Sequence, residues 1–261
     1  MPFVQLNKIR LHYEEITSTQ TRKNSPVVVF LHEALGSIPQ WKDFPRLLCE
    51  ELQLNGIIYE RQGYGKSSAL KSNRKANYLH KYALEELPQL IDAIYPFDQQ
   101  FILVGHSDGG TIALLYAAHY PEKVRALVTI AAHVINEPET IAGITPTIFA
   151  FENGKLDKLF NYHGVKTNKL FYAWANTWLS QEFLNWNICL EIEKLECPSL
   201  ILQGEKEQYG TYKQLDLIKK NTRGNSETIF ISNCGHHPHL EKNLETIEMI
   251  KQWHIKTSKR S

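Results

Sequence analysis

The stretch that decides the fold is Phe101-Ile102-Leu103-Val104-Gly105-His106-Ser107-Asp108-Gly109-Gly110. Its first four residues are apolar and predict a buried strand, which ends at the first glycine. A helical pattern, Gly109–His119, begins directly after the serine, so the chain must turn sharply at Ser107. Glycines two residues before and after the serine leave room for such a turn, which would expose the hydroxyl at one end of a sheet.

The five-residue pattern G-x-S-x-G is weak evidence when taken alone. With glycine and serine each near 7% of residues, it occurs by chance in about one chain in ten of this length. Its position between a predicted strand and a predicted helix makes it more specific. An ordinary glycine-rich turn without any chemistry remains the alternative at this point.

Short β-branched runs alternate with longer amphipathic stretches along the rest of the chain. The predicted strands are Phe3–Leu6, Ile9–Glu15, Val27–Leu31, Gly56–Tyr59, Phe101–Val104, Val124–Ile130, Ser199–Gln203 and Glu227–Ile231. The predicted helices are Gln40–Leu54, Tyr78–Ile94, Gly109–His119, Thr211–Lys220 and Leu244–Ile255. Asn7-Lys8 between the first two strands indicates a hairpin. Apolar strands separated by amphipathic helices predict an α/β fold, with a mostly parallel central sheet and helices on both faces.

The interval 133–193 interrupts this alternation. It contains no clear strand, and it carries three of the chain's five tryptophans, Trp174, Trp178 and Trp186. We interpret it as a helical cap inserted into a core formed by residues 1–132 and 194–261. An ordinary pair of core helices is the alternative.

Length and charge exclude several classes of protein. The 261 residues suffice for one large α/β domain with a full core. The net charge of +1 gives no electrostatic reason to expect nucleic acid or an anionic membrane as a partner. The basic residues Lys256, Lys259 and Arg260 are interpreted as a solvated helix end. No apolar run reaches the roughly 18 residues of a membrane span, and the first residues lack the apolar segment of a signal peptide.

The four cysteines are scattered, without a C-x-x-C pair: Cys49, Cys189, Cys197 and Cys234. In a chain of this length they are interpreted as buried, reduced thiols, which predicts a cytoplasmic location. Their pattern gives no support for a zinc site. We expect no cofactor and a small molecule as the substrate, and a homodimer is left open.

Histidine is the side chain best suited to activate a serine hydroxyl, which is a poor nucleophile at neutral pH. When a serine lies on such a turn, the acid and then the histidine usually follow it in the chain. The last predicted strand is followed by Ser232–His239, in which Gly235 precedes His236. We predict His236 as the base, and interpret His237 and His239 as packing or solvent-facing residues. Three close histidines could mark a metal site, but no second cluster of ligands accompanies them in the sequence, so no metal is expected.

The acid that orients the histidine should lie in the loop after the preceding strand, which reads Gly204-Glu205-Lys206-Glu207-Gln208-Tyr209-Gly210. Glu207 is the predicted acid, because a carboxylate here would fix the imidazole tautomer and stabilise its charged form. Glu205 is the main competitor. Glu137, which follows the strand Val124–Ile130, is a more distant one.

Two backbone N–H groups are needed to stabilise the negative charge that develops on a carbonyl oxygen under attack. The N–H of Asp108, directly after the serine, is one candidate. The loop after Val27–Leu31 reads His32-Glu33-Ala34-Leu35-Gly36-Ser37 and supplies the N–H of Ala34 as the other. The Asp108 side chain should turn away, because a carboxylate aimed at this position would oppose catalysis.

Five short motifs, in order along nearly the full chain, resemble those of the α/β-hydrolase superfamily. His32–Ser37 is similar to its H-G-x oxyanion loop, Arg61–Ser67 to its R-G-x-G-x-S loop, Gly105–Gly109 to its serine elbow, Gly204–Glu207 to its G-x-x-D acid loop and Gly235-His236 to its final G-H. The resemblance implies the α/β-hydrolase fold and a catalytic serine. Five ordered matches are far more specific than any single one, and they favour chemistry at Ser107 over an ordinary turn.

The chain departs from the superfamily's pattern at two positions. Glu207 stands where the superfamily usually has aspartate, although some members use glutamate. Glu33 stands where the superfamily usually has glycine, which puts a carboxylate beside the expected oxyanion site. It could bond to Arg61, bond to a nearby backbone amide or restrict the substrate.

The predicted substrate pocket is apolar with a few polar groups, as is typical of small-molecule sites. Trp174 and Trp178 are one helical turn apart and can share a face. The full predicted lining is Leu35, Trp41, His133, Trp174, Trp178 and Tyr209. The alternative for the tryptophans is that their rings only attach the cap to the core.

The leading functional hypothesis is a serine hydrolase that cleaves a small-molecule carboxylic ester or lactone through an acyl-enzyme on Ser107, His236 and Glu207. A carbon–carbon bond hydrolase, which acts on a ring-cleavage-type diketone with the same residues, is the second hypothesis. The third is a ligand receptor on the same scaffold without useful turnover, because a fold does not dictate its function.

Overall fold

Eight strands form one sheet in the computed structural model, which describes residues 2–95 and 97–258. They are β1 (Phe3–Leu6), β2 (Ile9–Ile16), β3 (Val27–Leu31), β4 (Gly56–Tyr59), β5 (Phe101–His106), β6 (Val124–Ile130), β7 (Ser199–Gly204) and β8 (Ser226–Ile231). The strand order is β1-β2-β4-β3-β5-β6-β7-β8. β2 pairs antiparallel with both β1 and β4, and the remaining pairs are parallel. The predicted mostly parallel sheet and its N-terminal hairpin are confirmed.

The sheet separates two apolar cores because alternate side chains of a strand point to opposite faces. In β3, Val27, Val29 and Leu31 join one core, and Val28 and Phe30 join the other. All five residues of this strand are buried, as expected for a central strand covered on both sides. One continuous apolar run therefore contributes side chains to both cores.

The described ranges contain ten α-helices. They are α1 (Phe44–Leu52), α2 (Tyr78–Lys81), α3 (Leu87–Ile94), α4 (Asp108–His119), α5 (Pro138–Glu152), α6 (Lys158–His163), α7 (Thr167–Trp178), α8 (Tyr212–Asn221), α9 (Pro238–Glu241) and α10 (Asn243–Ser258). Short 3-10 turns occur at Ile38–Trp41, Pro121–Lys123, Gly164–Lys166 and Ile192–Lys194. The buried residues of α1 and α10 belong to the core that contains Phe30, whereas α4 packs into the core that contains Val29.

Two predicted helices differ from the structure because of proline. The predicted helix Gln40–Leu54 is a 3-10 turn followed by α1, and Lys42 between them has a φ of 51°. Pro45 lacks an N–H and is tolerated only in the first turn of a helix, which fixes where α1 begins. The predicted helix Tyr78–Ile94 is continuous but contains a π-helical segment, Tyr82–Glu86, directly before α3. Pro88 explains it, because its ring and missing N–H force a wider turn.

The interval between β6 and β7 is helical, as the sequence predicts. It contains α5, α6 and α7, whose residues Ile144, Leu159, Trp174 and Trp178 are buried. Trp186 stacks on Phe183 with ring centroids 4.9 Å apart, beyond the end of α7. The cap insertion is therefore part of the fold, while its boundaries at residues 133 and 193 stay a prediction.

All four cysteines are buried and unpaired, as expected. Lys256 pairs with Glu227 on the surface, at 2.8 Å between Nζ and Oε2. Lys259 and Arg260 of the predicted basic helix end lie outside the described residues. Within the described ranges, no helix combines the length and the apolar character that crossing a membrane requires.

Candidate active site

Ser107 lies at the sharp turn between β5 and α4. Its φ of 52° and ψ of −119° are unusual for a residue with a side chain, and such strain persists only where the surroundings enforce it. The flanking glycines are required by space. A Cβ on Gly105 would lie 2.3 Å from the carbonyl oxygen of Gly109, and one on Gly109 would lie 1.9 Å from that of Leu31. The close approach of these backbones therefore holds the serine in its strained conformation.

His236 and Glu207 form a hydrogen bond between the loops after β8 and β7. The Nδ1 atom of His236 lies 2.7 and 2.8 Å from the two carboxylate oxygens of Glu207. One of these oxygens also accepts a hydrogen bond from the N–H of Tyr209, at 2.8 Å. Burial alone would raise the pKa of Glu207, but the charge and hydrogen bond of His236 outweigh it and lower this pKa to about 2. The carboxylate is therefore ionised when it orients the imidazole.

The contacts of Glu205 and Glu137 distinguish these two alternative acids from Glu207. The exposed Glu205 accepts a hydrogen bond from the backbone N–H of Asn233, at 3.2 Å. Glu137 accepts from the N–H and hydroxyl of Thr211 and from the side chain of Gln214, and so anchors the start of α8. Of these three carboxylates, only Glu207 contacts His236.

Ser107 and His236 line the same cavity, and both side chains are largely buried. In the described part of the chain, the Ser107 hydroxyl makes no hydrogen bond in this conformation. Catalytic hydrogen bonds are often long until substrate is bound. The cavity thus joins the hydroxyl to the histidine–carboxylate pair without a direct bond between them.

The two predicted oxyanion donors border this cavity. Ala34 lies in the loop after β3, and Asp108 is the first residue of α4. The first N–H groups of a helix have no acceptor within it. Neither the N–H of Ala34 nor that of Asp108 donates to another group in the part of the chain that the structure describes. Both donors are therefore available to a ligand oxygen.

The Asp108 side chain is held by Tyr78, a residue that the sequence analysis did not single out. The Tyr78 hydroxyl donates to Oδ2 of Asp108 at 2.7 Å, and the indole N–H of Trp178 donates to the same hydroxyl at 2.7 Å. Burial, together with the charge of Asp108, raises the pKa of Tyr78 well above its ordinary value, so it remains a donor. No local pattern marks Tyr78, because the bond joins two separate helices.

The cavity has a volume of about 210 Å³ and lies between the cap and the ends of the strands. Of the predicted pocket residues, Leu35, His133, Trp174, Trp178 and Tyr209 line it. The lining that the sequence analysis missed comes mainly from the cap, together with groups near Ser107: Glu33, Gln40, Thr140, Ile144, Thr147, Leu156, Leu159 and His237. Helical periodicity could have suggested Ile144 and Thr147, which are three residues apart on α5.

Trp41 is not a pocket residue, contrary to the sequence-based prediction. Its ring is 1% exposed and packs against Phe30, Phe44 and His239. Trp41 lies four residues after the oxyanion loop in the sequence, but this proximity does not bring its ring to the cavity. The 3-10 turn that ends at Trp41 carries the ring into the core that contains Phe30, away from the cavity.

Residues 26–151 match the model of a family described by its α/β hydrolase fold. The serine hydrolase BPHL of Homo sapiens is 26% identical over 253 residues, which cover 91% of this chain and 80% of that protein. The family model and the relatives support the α/β-hydrolase superfamily for this chain, and they support a hydrolase function.

Solved structures share the α/β-hydrolase fold over almost the whole chain. A putative lipase from Acinetobacter baumannii has a TM-score of 0.79 at 18% identity, covering 100% of this chain and 92% of that one. The enol-lactonase from Burkholderia xenovorans has a TM-score of 0.75 at 14% identity, covering 97% of this chain and 99% of that one. At these identities the likeness concerns the fold alone.

Among the described residues, neither Arg61 nor a backbone N–H donates a hydrogen bond to the Glu33 carboxylate. It faces the ring of His106, with 3.4 Å between Oε2 and Nδ1. Arg61 instead donates to the backbone carbonyls of His32 and Glu33, at 2.5 and 2.8 Å. Burial opposes ionisation of Glu33, but the hydrogen bond and the charge of His106 outweigh it and hold the pKa of Glu33 well below the ordinary value.

His237 adds a third potential metal ligand beside Glu33 and His106. One carboxylate oxygen of Glu33 and one ring nitrogen each of His106 and His237 lie within 4.8 Å of one another. The sequence analysis found no second group of ligands beside the histidines, whereas the fold brings Glu33 there. These groups could hold a metal ion, and the expectation of none stays a prediction.

The cap is attached to the oxyanion loop through His163 of α6. Its Nδ1 accepts a hydrogen bond from the N–H of Gly65, and its Nε2 donates to the carbonyl of Leu35, both at 3.0 Å. Lys166 adds hydrogen bonds to the carbonyls of the loop after β4. Burial lowers the pKa of His163, which favours the neutral ring that this bonding requires. The cap therefore supports the backbone next to Ala34.

Proposed function

We propose that this α/β hydrolase is a serine esterase or lactonase that acts on small molecules through a Ser107–His236–Glu207 triad. The observation that carries the proposal is the bond of the Glu207 carboxylate to His236 at 2.7 Å, beside a strained serine at the same cavity. A hydroxyl, an imidazole and a carboxylate from three separate loops have few other reasons to share one site.

In the proposed reaction, His236 takes the proton of the Ser107 hydroxyl as its oxygen attacks the substrate carbonyl carbon. The N–H groups of Ala34 and Asp108 stabilise the negative charge on the carbonyl oxygen. His236 then gives its proton to the leaving alkoxide, and an acyl-enzyme remains on Ser107. Water, deprotonated by the same histidine, releases the acid. Glu207 orients the ring throughout and stabilises its charged form.

The lining of the cavity supports a small, neutral substrate. The cap contributes an apolar wall with Ile144, Leu159, Trp174 and Trp178. Glu33 also lines the cavity, and no lysine or arginine of the described residues does. A substrate with a carboxylate near its scissile bond would find no cation to compensate its charge, and burying an unpaired charge is costly. Short acyl esters and small lactones fit these walls.

Covalent labelling tests the nucleophile directly. A fluorophosphonate probe should add to Ser107, which a mass shift on the peptide containing this residue would reveal. Ser107→Ala should lose both the label and at least about 10³-fold of the turnover, with the fold intact by circular dichroism. Ser72→Ala, at an exposed serine, is the matched control and should keep both. Retained turnover in Ser107→Ala would refute the scheme.

A substrate panel separates the competing reactions. Nitrophenyl esters of increasing acyl length, small lactones and a ring-cleavage-type dienoate should be compared at equal concentration. We expect turnover of short esters or lactones and little of the dienoate. Turnover of the dienoate alone would favour carbon–carbon hydrolysis, and labelling of Ser107 without turnover of any substrate would favour a receptor.

We also infer a reducing compartment from the four buried, unpaired thiols, which agrees with the predicted cytoplasmic location. Cell fractionation with an antibody to the chain would test this location. Recovery from an oxidising compartment would contradict it.

A further inference from the structure

A partly buried carboxylate and a fully buried imidazole connect three loops of the proposed active site. Glu33 lies in the oxyanion loop, His106 directly precedes Ser107, and His236 lies in the loop after β8. The Nδ1 of His106 faces Oε2 of Glu33 at 3.4 Å, and its Nε2 lies 2.8 Å from the backbone carbonyl oxygen of His236. The His106 side chain is fully buried, so water has no access to its two ring nitrogens.

The two contacts together fix where protons must be. A backbone carbonyl can only accept, so Nε2 of His106 carries a proton. If the ring is neutral, Nδ1 is then an acceptor that faces the carboxylate, and two acceptors repel each other. The contact becomes attractive only when one further proton lies between Nδ1 and Oε2. Glu33 and His106 then carry no net charge as a pair.

The surroundings hold this pair in place. The rings of His236, His237 and His239 have centroids 4.9, 5.0 and 4.5 Å from that of His106. Gly36 makes room for the carboxylate, because a Cβ there would lie 2.5 Å from a Glu33 oxygen. Other charged groups act on the flanking backbone: Arg61 binds the carbonyls of His32 and Glu33, and Glu241 accepts from the N–H groups of Gly235 and His237.

We propose that Glu33 and His106 are a positioning pair that shares one proton, cancels the carboxylate charge beside the oxyanion site and fixes the backbone of His236. This inference rests on the proposed serine-hydrolase function. It also accounts for a carboxylate at a position where the superfamily usually has glycine. Removing the His106 imidazole alone leaves the Glu33 carboxylate as an uncompensated negative charge close to the developing oxyanion. Removing both the imidazole and the carboxylate leaves no such charge.

A double-mutant cycle tests the proposal through a rescue that a merely structural role would not produce. With a neutral nitrophenyl ester, His106→Phe should lower kcat by about 100-fold and leave KM within about threefold. Glu33→Ala should lower kcat by about tenfold. The double variant should recover about tenfold over His106→Phe, because the stranded charge is gone.

Glu33→Gln supplies the conservative rescue. The glutamine N–H can donate to Nδ1 of a neutral His106, so the contact survives without a charge. We expect its kcat to stay within about threefold of the wild type and well above that of Glu33→Ala. A kcat of Glu33→Gln as low as that of Glu33→Ala would overturn the positioning role.

The His80–Glu191 pair provides a matched control. It is also a histidine–glutamate contact, at 2.9 Å, but both side chains are partly exposed. His80→Phe, Glu191→Ala and their double variant should keep kcat within about twofold. If His106→Phe does not fold, His106→Gln takes its place, since its amide can donate to the His236 carbonyl but cannot carry the shared proton.

Three results would overturn the proposal while leaving the serine-hydrolase function intact. The first is that the losses of kcat in His106→Phe and Glu33→Ala multiply in the double variant, without rescue. The second is that the substitutions change KM alone. The third is that activity requires added Zn²⁺ and disappears with a chelator. The last would mean that a metal ion, rather than a proton, lies between Glu33, His106 and His237. Failure of the fluorophosphonate to label Ser107 in the wild type would instead refute the proposed function itself.

Discussion

Single residues set the chemistry of the proposed site. The conformation of Ser107 costs on the order of 1–3 kcal/mol, which the packing of β5 against α4 must offset. Glu207 stays ionised despite its burial because His236 supplies a partner at 2.7 Å. Both residues are therefore held in states that an isolated peptide would not favour, and such states are typical of functional sites.

Glu207→Gln should lower kcat by roughly 10³- to 10⁴-fold with little change in KM. The amide keeps the shape of the side chain but no longer fixes the tautomer of His236 or stabilises its charged form. Steady-state kinetics on a nitrophenyl ester measure the effect. Glu205→Gln is the matched control in the same loop and should stay within about twofold of the wild type. Equal losses in the two variants would show that the acid has been misassigned.

Helices of the cap act on the site through the loops that they contact. α6 supplies His163, which donates a hydrogen bond to the carbonyl of Leu35 in the oxyanion loop and accepts one from the N–H of Gly65 in the loop after β4. α7 supplies Trp178, which holds the hydroxyl of Tyr78 and, through it, the carboxylate of Asp108. The cap thus forms a wall of the cavity and also supports the proposed oxyanion donors.

His163→Ala should lower kcat by about tenfold, because the loop that carries the N–H of Ala34 loses its anchor on the cap. The melting temperature should also fall by a few degrees, since two buried hydrogen bonds are lost at about 1 kcal/mol each. Both quantities should be measured, with Asn161→Ala on the exposed face of α6 as the control. Full activity at a lowered melting temperature would restrict His163 to a structural role.

At the scale of the whole molecule, buried histidines make folding sensitive to acid. Burial is the largest cause that lowers their pKa in each case. The residues concerned are His32, His133, His163, His237, whose pKa falls to about 3, and His239. A lowered pKa means that the folded state binds protons less readily than the unfolded state, so the stability of the fold depends on these rings being neutral.

The free energy of unfolding should therefore decline as the pH falls from 7 to 5. The contribution of each neutral histidine is complete above its unfolded pKa of 6.5 and is lost as the pH falls towards the lower folded value. Each unit of lowering is worth about 1.4 kcal/mol once the pH lies below both values. Glu86 acts with the opposite sign, since burial raises its pKa to about 7. Urea unfolding at several pH values measures the balance, and a constant stability over this range would contradict the prediction.

Local patterns in the sequence were enough to predict most of the strands and the position of the elbow. The apolar run Val27–Leu31 is a strand with the predicted bounds, because five consecutive apolar residues satisfy a strand buried on both faces. The turn at Ser107 was predictable because its glycines are a local steric requirement. Pro45 and Pro88 also act locally, but the helical spacing of the apolar residues led to one regular helix being predicted at each of these places.

Only the tertiary structure decided which side chains meet. Glu205 and Glu207 are two residues apart and chemically alike, yet only Glu207 reaches His236. The contact of Glu33 with His106 joins residues 73 positions apart, so no periodicity could indicate it. Sequence alone thus determined the elements and the order of the motifs along the chain. The fold decided the site, because distances between distant residues follow from strand order and packing rather than from spacing in the chain.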